Sequence, residues 1–472
     1  MSAGQGSGLP HGAPFTSRLA VGCLAAAVVL LPFNSLPYFQ SLFGELATEG
    51  AFYALVVALA CWVVELGAGG RIARRWHWTA AGLGCFLLWC LLSAVVNLPD
   101  ILAAETKARR GPSKLVLQVV LLVFVLLAAV LVRHLAGRLR HPLGWLRRFA
   151  LISFLLAGAY SLFEVGSYLG LAPPGVYATI DHLVHGEGAG YFGRVRSVSG
   201  EPSWFGMYCG FVLPWLLSYY FTATRRAGLY LGLTAYMVLL IGLSWSRTAY
   251  VITSVQVLLY VGLAFAARRT AIPRRRIWAL VGGLALAGLA GAFVLRGAAV
   301  SDRSVTQVFS SLLSSENLSN VSRAGAQAAA FRMGLAAPVA GVGLGQYGFW
   351  MPSFVPLWAR QSEEVQMWMS GAADSPWAPA QSLYARLAAE VGFVGLGLWV
   401  ACWLGVLVAC WRRYRRVGAR SEDAGLGLAL IVSLVGVLLS GMNADSLRFF
   451  SYWIGLGFAW WYLGAEPSPD SP

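Results

Sequence analysis

An all-α polytopic membrane protein is the fold class that the sequence predicts, and three observations predict it. Hydrophobic residues make up 58% of the 472 and charged residues 12%, a balance that soluble globular chains do not show. Apolar runs of about 18 to 22 residues recur, long enough at ~1.5 Å per residue to cross a ~30 Å hydrocarbon layer. Basic residues gather in short connections at every second turn between the runs, the pattern of the positive-inside rule. Backbone in hydrocarbon must satisfy its own hydrogen bonds, so the runs are read as helices of one integral membrane domain spanning 1–472.

The first run follows a Gly/Ser/Pro-rich tail carrying Arg18, and no small-residue cleavage site follows in Pro32-Phe-Asn-Ser-Leu-Pro-Tyr38, so it is read as a retained span. With basic loops taken as cytoplasmic, spans fall near 18–33, 51–66, 78–97, 115–132, 149–170, 203–222, 227–243, 249–267, 277–295, 382–410, 424–441 and 448–464. That gives about 12 transmembrane helices with both termini inside. The net charge of +15 does not point to nucleic acid. Roughly 21 of the 35 Lys and Arg lie in the N-terminal tail and the loops at 71–75, 133–148, 225–226, 268–276 and 412–420, where they orient the chain. The seven cysteines (Cys23, Cys61, Cys85, Cys90, Cys209, Cys402, Cys410) lie in or beside apolar runs without metal-ligand spacing and are read as small core residues. Neither a metal nor a cofactor is expected.

Three connections then face outward: 97–114, 171–202, and the large loop 296–381 between spans nine and ten. The first carries Lys107, Arg109, Arg110 and Lys114 on the translocated side, against the charge rule; an anionic lipid phosphate would retain them there, and a reversed topology is the alternative. The second contains Asp181-His-Leu-Val-His185, read as a polar surface turn in preference to a metal site, and Glu187 among glycines is read as solvated. It ends in Arg194-Val-Arg-Ser-Val-Ser-Gly-Glu-Pro-Ser-Trp-Phe-Gly206, which puts Arg194, Arg196 and Glu201 at the mouth of a span, with Pro202 fixing a helix start. The bland reading is that these arginines snorkel.

Span seven turns into span eight through Leu243-Ser-Trp-Ser-Arg-Thr-Ala-Tyr250, with Arg247 in the hinge. In the large loop a helix is predicted over 321–336, stopped by Pro338. Arg323 and Arg332, nine residues apart, are read as sharing nearly one face. Gly341-Val-Gly-Leu-Gly345 lacks the lysine and preceding strand of a nucleotide loop and is read as a point of close backbone approach. The polar stretch 361–379 could form a lid. Span ten opens on Ala380-Gln-Ser-Leu-Tyr384, and Arg386 with Glu390 is first of all an i,i+4 ion pair. Gly392 and Gly395 suit close helix packing. Glu65 and Glu164 are expected to make buried polar contacts.

Taken in order, Lys114-Leu-Val-Leu-Gln118, Arg196 with Gly200-Glu-Pro-Ser203, Ser246-Arg-Thr248, Arg323 before Pro338 and the glycine turn, and Ser382-Leu-Tyr384 leading to Glu390-Val-Gly392 resemble the O-antigen ligase/polymerase superfamily over roughly 110–450. The resemblance implies a C-type glycosyltransferase-like membrane fold. It also implies a metal-independent enzyme of the bacterial inner membrane that works on the periplasmic face. Its substrate would be an undecaprenyl-pyrophosphate-linked oligosaccharide, and a chain-length regulator protein is a possible partner. Ligases of this family commonly carry a His-Asn pair where this chain has Gln381-Ser382, and the Gly-Glu-Pro-Ser string is similar to polymerases, so polymerase is preferred to ligase.

The residue types suit that chemistry. Pyrophosphate is already a good leaving group, so the protein must supply cations for its growing charge and one acceptor for the attacking hydroxyl. Glu201, Arg247 and Arg323 are the candidate catalytic residues. Arg196, Arg194, Arg332 and Lys114 are candidates for the diphosphate, and Gln381 and Tyr384 are further site candidates. One displacement predicts inversion at the anomeric carbon. A transporter of polysaccharide or lipid is the rival from another class. It calls for internal repeats and broken helices at the midplane, whereas the cations here gather at outer helix ends.

Overall fold

The computed structural model describes residues 14–40, 44–70, 76–171, 173–186, 193–223, 225–266, 273–297, 318–416 and 422–465. The basic residues at 71–75 and 268–269, Arg420, Glu187 and the stretch 298–317 of the large loop lie outside them.

Among the described residues there are seventeen α-helices. A helix stands at each of the twelve expected runs: α1 (Phe15–Val29), α2 (Gly50–Gly67), α3 (Trp78–Val96), α5 (Gly111–Ala136), α6 (Pro142–Tyr168), α8 (Pro202–Thr222), α9 (Ala227–Leu243), α10 (Arg247–Ala266), α11 (Arg274–Gly297), α15 (Leu383–Arg416), α16 (Glu422–Ser440) and α17 (Phe450–Gly464). Five more decorate one end: α4 (Leu98–Ala103), α7 (Pro174–His185), α12 (Leu318–Ala336), α13 (Tyr347–Phe354) and α14 (Glu363–Met369). Six of the seventeen, α2, α3, α5, α6, α10 and α15, are long and apolar enough to cross a membrane, while α1, α9 and the stretch Gly425–Ser440 are apolar but shorter. The chain is an all-α, multi-pass membrane protein.

Which face each helix buries follows from where it stands. In α8 the side chains of Phe205, Phe211 and Trp215 are wholly enclosed, as are Trp453 and Phe458 of α17, so these helices form the centre. Outer helices keep apolar side chains on their far faces, such as Val64 of α2 and Leu258 of α10, exposed at 61% and 73%. Exposed apolar side chains of that kind fit acyl chains and not water.

The central helix contains Pro214, whose ring nitrogen has no hydrogen to give the carbonyl of Gly210 four residues earlier. Gln256 of α10 supplies the missing donor: its Nε2 lies 2.6 Å from Gly210 O and 3.0 Å from Val432 O of α16. Ser433 Oγ donates to the next carbonyl, Phe211 O, at 2.7 Å. One proline thereby fixes how three helices meet.

At one end of the bundle, arginines close helix ends. Arg276 donates to Tyr220 O, Phe221 O and Ala223 O at 3.2, 2.7 and 2.7 Å, capping the last turn of α8. Glu65 is held by Arg138 at 2.7 Å and by Ser17 Oγ at 2.7 Å. The other end of α8, beginning at Pro202, faces the decorated side.

Candidate functional site

The loop 193–200 is held from below by Glu164 of α6. Its carboxylate accepts the backbone N–H groups of Arg196 (3.2 Å) and Ser197 (2.9 Å) and the Tyr168 hydroxyl (3.0 Å). Ser197 sits at φ +56, a left-handed conformation costly for a residue with a Cβ, and these bonds hold it there. Arg196 is 4% exposed and spends its guanidinium on Asp181 at 2.7 Å, with Gly200 O at 3.5 Å. Arg196 thus ties the loop to α7, and Asp181-His-Leu-Val-His185, expected as a surface turn, is the last turn of a helix that buries His185, half-buries Asp181 and Val184, and leaves His182 and Leu183 exposed. Asp181 also accepts from Tyr160 (3.0 Å), and His185 Nε2 lies 3.1 Å from Ser197 O. Burial, reinforced by the Arg196 charge, pushes the His185 imidazole down to about 4, so it stays neutral.

Glu201 caps the start of α8 with an extended backbone, and Pro202 follows at the first helical position, where its missing N–H costs nothing. The half-buried carboxylate accepts from Ser203 Oγ at 3.1 Å. The hinge that carries Arg247 is packed on the same helix start. A methyl built on Gly206 would lie 2.3 Å from Ala249 Cβ, so only glycine admits this contact. Val195 N–H bonds Leu243 O at 3.0 Å, and Arg194 Nε donates to Ser244 O at 3.3 Å. The Arg194–Gly206 string and the Arg247 hinge, some fifty residues apart in sequence, thus form one unit.

A second group joins α5, the glycine turn and α15. Arg386 Nε is 3.1 Å from Glu390, the expected i,i+4 pair, while its other nitrogens reach Gln118 Oε1 (2.9 Å) and Asp445 O (2.8 Å). Val342 N–H and Gly343 N–H bond the carbonyls of Ala389 and Glu390 at 2.9 and 2.8 Å. The turn therefore lies backbone to backbone on α15, as its glycines suggested. Gly392, at φ +71, breaks α15 where it meets Val339 O and divides it into a short outer piece and a long span. Lys114 Nζ stands 4.8 Å over the Trp377 ring, with the Arg109 guanidinium 5.0 Å from the same ring.

Lys107 is buried instead of presented to lipid phosphate. It forms the tight turn of a two-stranded hairpin (β1, Glu105–Thr106; β2, Arg109–Arg110), at φ +53, and donates to Trp368 O and Pro376 O, both at 2.7 Å. Burial and the neighbouring Arg109 lower its pKa. Two carbonyls of the expected lid are thereby fastened to the first loop, and Arg110 pairs on the surface with Glu105 at 3.6 Å.

The large-loop helix is present as α12, but its arginines do not share a face. Nine steps of about 100° make two and a half turns, which sets them on opposite sides. Arg323 donates to Asn443 Oδ1 at 2.8 Å, whereas Arg332 is exposed beside Phe331 and Leu335. Gln381, at φ +57, accepts from Gln327 at 2.9 Å through its carbonyl, and Tyr384 Oη donates to Leu438 O at 2.7 Å.

The piece that sequence reasoning missed is the loop 441–449 between α16 and α17. Its Asn443 meets Arg323, its Asp445 accepts the Ala380 N–H, and its Arg448 reaches Glu49 at 3.2 Å and Glu45 at 3.5 Å. The signal was available: an amide, an acid and a base within six residues between two apolar helices. Glu49, one residue before α2, is 4% exposed, and burial pushes its carboxyl up to about 8 in spite of the guanidinium beside it. A small pocket opens between Asn34, Glu49, Trp204, Phe449 and Tyr452.

Eight of the nine predicted residues thus lie in three neighbourhoods: Arg194, Arg196, Glu201 and Arg247 around the start of α8; Lys114 beside Trp377; Arg323, Gln381 and Tyr384 around the 441–449 loop; the ninth, Arg332, is apart from all three. None of the nine lines the pocket, although Trp204 links it to the Glu201 string. No protein-family model matches the chain, and no curated protein matches it.

Proposed function

We propose that the protein is a membrane glycosyltransferase that polymerises lipid-linked polysaccharide repeat units. It would transfer the growing glycan from undecaprenyl pyrophosphate to a hydroxyl of the next lipid-linked unit, on the outer face of a twelve-span bundle. The observation that carries this reading is the packing of the Glu201 helix start on the Arg247 hinge through Gly206. It brings the segment that carries Glu201 against the segment that carries Arg247, at the end of a buried central helix.

In the reaction the acceptor oxygen bonds to the anomeric carbon as the bond from that carbon to the pyrophosphate oxygen breaks. The electron pair leaves with the pyrophosphate, and the hydroxyl proton passes to the Glu201 carboxylate. Arg247, Arg323 and Lys114 are the cations assigned to the departing diphosphate, since guanidinium and ammonium donors gain strength as its charge builds. Arg194 and Arg196 position the loop. The half-buried Gln381 in place of a histidine favours a polymerase over a ligase, and the energy of the bond comes with the donor, so no nucleotide is required.

The test is elongation of a lipid-pyrophosphate-linked repeat by the purified protein in nanodiscs, without nucleotide. Products of two or more repeats are expected. Transfer to lipid A core in place of elongation would assign a ligase, and movement of intact lipid-linked units across the bilayer without new glycosidic bonds would assign a transporter.

A further inference from the structure

The Glu45 carboxylate occupies an unusual position. One oxygen lies 4.0 Å from Lys114 Nζ and the other 3.5 Å from Arg448 Nη1, so a single carboxylate bridges cations from α5 and from the 441–449 loop. Both cations have side chains 12% exposed, whereas Glu45 is 56% exposed. The cations are held without it. Lys114 lies over Trp377, and Arg448 lies 4.9 Å over Trp204 with Glu49 at 3.2 Å on its other side. Glu45 is the loosely held member, since both distances exceed the 2.7 to 2.9 Å of a strong charge-assisted bond.

We propose that Lys114 and Arg448 form a binding site for a diphosphate ester, and that Glu45 is a built-in plug which fills it until the ester displaces it. A carboxylate with one oxygen on each cation has the geometry with which a phosphate group would bridge the same pair. Around the site Lys114, Arg109 and Arg448 carry three positive charges, against Glu45; Glu49, buried beside Arg448, keeps its proton, and Arg386 is already matched by Glu390. With Glu45 swung out the site is left with an excess of positive charge, which suits a diphosphate better than a neutral glycan. The two indoles suit the level of lipid headgroups, where such rings prefer to sit. This rests on a lipid diphosphate being the donor; it adds Arg448 and Glu45, which the proposed reaction does not use.

The experiment is calorimetric titration of the full-length protein in zwitterionic nanodiscs, with inorganic pyrophosphate as one probe and undecaprenyl pyrophosphate in the disc as the other. Glu45→Gln should bind both about fivefold more tightly, the worth of one exposed ion pair removed from competition. Lys114→Gln and Arg448→Gln should weaken both, while Arg360→Gln, on the surface of the large loop, should change neither. Unchanged or weaker binding by Glu45→Gln would overturn the plug, and so would an equal loss in Arg360→Gln, or tightening seen only with anionic vesicles that lack pyrophosphate. Should Arg448→Gln fail to fold, the surface change at Glu45 still decides the matter. Tighter pyrophosphate binding without elongation would keep the site and sink the polymerase; elongation with no Glu45 effect would do the reverse.

Discussion

Gln256 donates to the carbonyl of Gly210, the group that Pro214 deprives of its helical partner. A polar side chain in the middle of an apolar helix thus completes the hydrogen bonding of its neighbour. Its exchange for leucine leaves a buried carbonyl unpaired, and we expect a loss of about 1 to 3 kcal/mol, read as lower thermal stability in detergent. If Gln256→Leu melts with the wild type, Pro214 finds its compensation elsewhere.

The Asp181–Arg196 pair is also a matter of unpaired charge. Asp181→Ala strands a guanidinium that is 4% exposed, and such losses run to about 3 to 5 kcal/mol. A double change that also makes Arg196→Met should recover much of that stability, because both charges go together. If the single and double variants prove equally unstable, the pair is not what holds α7 to the loop.

For the chemistry, Glu201→Gln keeps the shape of the side chain and removes its basicity, so elongation should fall by about 10² to 10⁴ while donor binding stays. Arg247→Ala should lower the rate and weaken binding of the lipid diphosphate. Full-length product from either variant, at wild-type protein levels, would remove that residue from the mechanism.

Two buried groups give stability opposite pH dependences. His185 has its pKa depressed from 6.5 to about 4, so the unfolded chain takes up more protons between those values, and the contribution is lost as pH falls through that window. Glu49 has its pKa raised from 4.5 to about 8, so the folded chain holds the extra proton, and the contribution present below 4.5 is lost as pH rises towards 8. Melting curves of Glu49→Gln should lack the decline on the alkaline side, and those of His185→Gln the decline on the acid side. Identical pH profiles in wild type and variants would show that neither group is buried as described.

Much of the fold could be read from hydropathy alone. Each of the twelve helices stands within a few residues of an apolar run, because a helix in lipid is selected by local composition and length. The Arg386–Glu390 pair and the close approach at the glycine turn were legible for the same reason, since helical spacing and a missing Cβ are local properties. What Arg196 touches was not. Its partner Asp181 is fifteen residues away across a helix end, and sequence spacing gives no sign that Glu164, thirty-two residues earlier, shapes the loop between them. That Arg323 and Arg332 part company follows from helical spacing, whereas the tertiary structure alone decided that Lys107 is fastened inside and that the short 441–449 loop meets Arg323, Glu49 and Glu45. Hydrophobic patterning fixes which segments are helices, but the partners of each charge depend on how those helices are brought together in space.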